Sequence, residues 1–124
     1  MKNLAACLCL TLLACAAPSP AEIEHRDARI EHLMEDLQGP ELMLSSAARL
    51  GSLDDAESRR NLKICLKVLK EIEEMEHEEE EFRLLNRASI KAVEDMLKLD
   101  RKDGLPQAWR RVERSCSACH RSYQ

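Results

Sequence analysis

Between Ser52 and Asp103 the chain runs without a single glycine or proline, while its apolar residues recur at steps of three and four. That combination constrains the fold more than any other feature. Steps of three and four put residues on one face of a helix, whereas a half-buried strand needs strict alternation. No stretch of the sequence alternates in that way. A single helix over this span would be about 75 Å long at a rise of 1.5 Å per residue, too long for a domain of this size. A break is therefore required. The sequence predicts it at Glu76-His77-Glu78-Glu79-Glu80-Glu81, where like charges repel and no apolar residue holds a turn.

The remaining pattern divides the chain into four helices. Ile23, Arg26, Ile30, Leu33, Met34 and Leu37 form the inward face of the first. Gly39-Pro40 is expected to stop or kink it, with Pro40 opening a short continuation through Leu42, Met43 and Leu50 to Gly51. Ser52 and Asp55 make a capping-box-like start to the second helix, which carries Leu62, Cys65, Leu66, Leu69 and Ile72. The third runs through Phe82, Leu85, Ala92, Val93, Met96 and Leu97. Asp103-Gly104-Leu105-Pro106 is the clearest turn, and the fourth helix follows with Leu105, Trp109, Val112, Cys116, Cys119 and Tyr123. Short connections between amphipathic helices predict an all-α, antiparallel four-helix bundle over residues 22–124. Such a small domain has little core, so a held cofactor could supply much of its buried apolar surface.

The N-terminus reads as an export signal. Met1-Lys2-Asn3 is a short basic start, and Leu4 to Ala14 is an apolar run too short for a bilayer, which needs about 20 residues. Leu12-Leu13-Ala14-Cys15 resembles the lipobox of bacterial lipoproteins, which implies a signal peptide over 1–14, acylation of Cys15 and a linker over 15–21. Ordinary cleavage near Ala14-Cys15-Ala16 or after Ala21 is the rival reading. Lys2 is the one charged residue of the leader. The mature chain then holds 18 basic and 23 acidic side chains, a net charge near −5, which argues against nucleic acid and against charge-driven adhesion to anionic lipid. The Glu-rich run from Glu71 to Glu81 suits either a basic redox partner or a plain solvated helix end.

Six cysteines in an exported chain ordinarily suggest disulfides. Here Cys7 and Cys9 fall in the leader, Cys15 is the anchor candidate, and Cys65 lies on an apolar helix face. Cys116-Ser117-Ala118-Cys119-His120 matches Cys-x-x-Cys-His, the attachment motif of haem c. On a helix these positions share one face, so two thiols can meet two porphyrin vinyl groups while His120 reaches the iron. A thioredoxin-like pair would want a βαβ setting. A zinc site would want two further ligands, and His25, His32 and His77 belong to other segments. A plain cysteine pair is the bland alternative.

The last eight residues, Cys116 to Tyr123, resemble the class II cytochromes c, of which cytochrome c′ is the best-known member. Those proteins are four-helix bundles whose single motif lies near the C-terminus and is commonly followed by two residues and a tyrosine. The resemblance implies one covalent haem c held by Cys116 and Cys119, with His120 as axial ligand. It also implies a first-helix arginine at a haem propionate and a distal residue one turn on. Two placements fit: Arg26 with Ile30, or Arg29 with Leu33. Both leave an apolar residue over the metal, and so predict five-coordinate iron. Met34 is the candidate sixth ligand if the helix is rotated slightly, while His25 and His32 fall on the polar face.

The expected function is therefore that of a monohaem electron carrier, not an enzyme, serving exported redox proteins in the periplasm. It would meet the membrane only through a lipid anchor at Cys15, and the resemblance makes a homodimer an option. A five-coordinate haem protein binding nitric oxide or carbon monoxide is the alternative. A peroxidase would want histidine and arginine converging over the iron, and the inward stripe offers arginine alone.

Overall fold

The computed structural model describes residues 17–123, and the leader and Cys15 lie outside them. Four helices follow in chain order: α1 (Pro20–Leu50), α2 (Ala56–Glu74), α3 (Glu80–Leu97) and α4 (Leu105–Tyr123), the last entered through a short 3-10 turn at Lys102–Gly104.

α1 starts two residues before the expected domain edge. Ser19 caps it, its hydroxyl accepting from the Glu22 amide while the Glu22 carboxylate accepts from the Ser19 amide, and Pro20 occupies the first turn, where its missing N–H costs nothing. The expected stop at Gly39-Pro40 does not occur. The helix passes through Pro40 and runs unbroken for 31 residues. The physical reason lies one residue back. A proline ring disfavours helix in its predecessor by striking that residue's N–H and Cβ, and Gly39 lacks the second. Leu33 on one side of the proline and Leu44 and Ala47 on the other are buried, so packing holds both halves in line. The true stop is Gly51, left-handed at φ 72°, with the amides of Gly51 and Ser52 returning to the carbonyls of Ala48 and Ala47.

α2 is capped by Asp55, whose carboxylate accepts from the Ser58 amide at 2.7 Å. Ser52, expected to cap, instead accepts the Ser58 hydroxyl at its carbonyl. The expected break between α2 and α3 is present. α2 ends at Glu74, Glu76 takes a left-handed conformation (φ 48°), and Arg83 reaches back to the carbonyls of His77 and Glu78.

Packing follows chain order: α1 lies on α2, α2 on α3, and α3 on α4. The core divides in two. The larger part joins all four helices around Leu44, Leu69, Val93, Met96 and Trp109. A smaller cluster of Ile30, Leu33, Val68, Ile72, Phe82 and Cys119 lies nearer the α2–α3 connection, and Leu37 touches both. α1 and α4 have no comparable contact with each other, and a cleft opens between them. No helix among the described residues is long and apolar enough to cross a membrane.

Candidate functional site

The cleft has a volume of about 570 Å³. Its α4 wall presents Cys116, Cys119 and His120, brought together by their i, i+3, i+4 spacing on an unbroken helix. Its α1 wall presents Ile30, Met34 and Leu37, with Leu69 of α2 at the back. Asp27, Glu31, Glu35 and Glu41 edge the α1 side, and among the described residues no lysine or arginine lines the cleft.

One end is closed by aromatic rings. His77 stacks on Phe82 with centroids 4.3 Å apart, and Phe82 meets Tyr123 edge-on at 5.1 Å. Partial burial, with the Glu79 carboxylate close by, pushes the Tyr123 hydroxyl up to about 12. The His77 side chain is only 11 % exposed. Its Nδ1 accepts from the Glu79 amide at 3.1 Å, which leaves Nε2 facing Asp27 at 4.0 Å.

Burial raises the pKa of both Cys116 and Cys119, so both sulfurs are held as thiols. The Ser89 hydroxyl and the Glu41 carboxylate lie beside Cys116 and act on it in opposite directions. Cys65 is buried in the core away from solvent and is pushed up to about 12, mainly by that burial. Cys116, Cys119 and His120 do not close on a single point. Among the described residues no three His, Cys, Asp or Glu side chains converge as a metal held by protein alone would need.

The structure separates the two placements of the first helix. Ile30 and Met34 line the cleft, whereas Leu33 is turned onto α2 in the smaller core cluster. Arg29 also faces α2, 3.5 Å from Glu71. Arg26 is not left without a partner: it binds Asp27 at 2.7 Å and is paired with Glu78. It stands at the cleft edge only through Asp27. His25 and His32 are exposed, and His32 lies 3.7 Å from Glu35.

Several lining residues are not among those the sequence singles out for the site, His77 and Asn86 among them. In the sequence His77 belongs to a segment apart from the motif. An up-down bundle nevertheless returns the α2–α3 connection to the end where α4 finishes. His77 and Arg26 thus share one end of the cleft, both held by Asp27 and Glu78. Asn86 carried no signal beyond its place on the inward face of α3. Comparison of the chain with family models, with curated proteins and with solved structures finds no match.

Proposed function

We propose that the cleft between α1 and α4 holds one haem c, bound through Cys116 and Cys119 with His120 as axial ligand, and that the protein carries single electrons in the cell envelope. One observation carries the reading. The Cys-x-x-Cys-His motif forms one wall of an apolar cleft whose opposite wall offers Ile30 and Met34. The residues fit the group. The volume lies inside the range of about 300–1,000 Å³ usual for ligand pockets, and Ile30, Met34, Leu37, Leu69 and Phe82 suit a flat apolar macrocycle. The spacing of the two thiols suits addition to two vinyl groups, and among the described residues no third His, Cys, Asp or Glu joins them as a zinc site would need. The acidic edge offers a propionate no cation, so Arg26 would have to exchange Asp27 or Glu78 to reach one.

The bound haem supplies a one-electron couple. His120 would hold the iron from the α4 wall, Phe82 and Leu69 would keep water from the macrocycle, and Met34 lies on the α1 wall of the same cleft, where it could serve as a second ligand. That placement of Met34, with Leu33 turned away, favours a six-coordinate carrier over the five-coordinate iron that the apolar register implied. Gas binding is the second reading, favoured by Ile30 on the same wall. Export by the leader and anchoring at Cys15 complete the proposal.

The test is expression with haem c maturation machinery. The mature chain is expected to gain one haem mass that survives acid-acetone extraction and is lost in Cys116→Ala/Cys119→Ala. Extractable haem in the unmutated protein would end the reading. A low-spin ferrous spectrum that Met34→Leu converts to high spin supports the carrier. A five-coordinate spectrum that Met34→Leu leaves unchanged supports gas binding.

A further inference from the structure

α3 and α4 pack in a fixed antiparallel register. Phe82 meets Tyr123 at one level, and the Ser89 hydroxyl lies against the Cys116 thiol at another. Between these levels, Asn86 falls opposite Cys119 and His120. It is 3 % exposed and lines the cleft. Its Nδ2 donates to the Leu69 carbonyl of α2 at 3.0 Å, which fixes the plane of the amide. Its Oδ1 is buried and has no hydrogen-bond partner among the described residues. Asn86 also borders an outer groove with Arg83 and Arg87, but both guanidinium groups have partners: Arg83 in the His77 and Glu78 carbonyls, Arg87 in Glu73. A buried acceptor without a donor is costly, and an amide that cannot turn without breaking its Leu69 bond keeps that acceptor in place.

We propose that Asn86 Oδ1 is the acceptor for the Nδ1–H of His120 when His120 Nε2 ligates the iron. The inference rests on the haem reading above. A ligating histidine almost always donates its other ring N–H, and the acceptor sets the tautomer, the ring orientation and the basicity of the ligand. Asn86 is thus a positioning residue. A neutral amide makes His120 a moderately basic ligand, weaker than one facing a carboxylate and stronger than one facing an apolar side chain.

The experiment compares the haem-loaded protein with Asn86→Leu and Asn86→Asp. Both variants lose the donor to Leu69, so a purely structural role would move the iron–histidine stretch the same way in both. That stretch decides the test, because a buried carboxylate lowers the potential by its charge alone. The proposal expects opposite movements. Asn86→Asp lowers the reduction potential and raises the iron–histidine stretching frequency, measured after photolysis of the carbon monoxide adduct. Asn86→Leu raises the potential and lowers that frequency. Shifts of one sign in both, or none in either, overturn the proposal while covalent haem stays in place. Asn86→Ser, expected to fall between the wild type and Asn86→Leu, keeps the test open if Leu is not tolerated. A wild-type chain with no covalent haem overturns both readings, which separates that failure from the failure of this one.

Discussion

Arg26 shows how much a residue's meaning depends on what stands near it. On the apolar stripe its charge called for a partner, and the partners are Asp27 and Glu78. The bond to Arg26 holds the Glu78 carboxyl below its ordinary value. The pair's contribution to stability is then full above the ordinary carboxylate range and fades as pH falls through the lowered folded value. Thermal melts are expected to show Arg26→Gln less stable than wild type at neutral pH, with the gap closing in acid; a gap constant with pH would mean that the pair is energetically silent. Cys65 gives the opposite sign. Its thiol is raised to about 12, while an unfolded thiol ionises near its ordinary value, so this group favours unfolding as the solution turns alkaline. It is expected to resist alkylation at mildly alkaline pH until the protein is unfolded. If Cys116 and Cys119 hold haem as proposed, Cys65 is expected to be the single free thiol of residues 22–124 in the denatured protein, and finding three would show that Cys116 and Cys119 hold nothing.

At the scale of elements, two glycines in α1 do different work. Gly51 ends the helix at φ 72°, where a Cβ would meet nothing but the backbone conformation itself is unfavourable to it. Gly51→Ala is expected to cost about 1 kcal/mol or somewhat more, read as a fall in the denaturation midpoint. Gly39 serves its neighbour by letting the helix continue into Pro40. The proline still removes an N–H from the ladder, so Pro40→Ala is expected to raise stability by about 1–3 kcal/mol. A loss in that variant would mean that the proline shapes α1 around the cleft. Leu44 lies one turn beyond and is fully buried. Leu44→Ala is expected to cost about 2–5 kcal/mol, because neighbours on several helices cannot collapse together into the space.

For the molecule as a whole, the open side between α1 and α4 is the central feature. Neighbouring helices in sequence pack closely, and the pair that would close the ring is held apart by the cleft. The smaller core cluster borders that cleft and would gain most from a bound macrocycle. If the cleft holds haem as proposed, Cys116→Ala/Cys119→Ala is expected to lower Tm by on the order of 10 °C, given about 4–8 °C per kcal/mol for a domain of this size. Calorimetry of the two forms checks it, and equal melting temperatures would place the haem at the periphery.

Helix periodicity, the break within the Glu-rich run and the shared face of Cys116, Cys119 and His120 were legible from the sequence alone. All three rest on local geometry: the helical repeat, like-charge repulsion and i, i+3, i+4 spacing. Passage through Pro40 is only half legible, because Gly39-Pro40 signals a break in sequence while the missing Cβ of Gly39 eases continuation of the helix. Which side of α1 faces the cleft could not be read there. Ile30, Leu33 and Met34 all fit one apolar stripe, and a rotation of one residue decides between Leu33 and Met34. That rotation is set by how α1 seats on α2, a matter of tertiary packing. The same packing brings His77 and Asn86 to a site that their places in the chain gave no reason to suspect, since their neighbours at the cleft come from other helices.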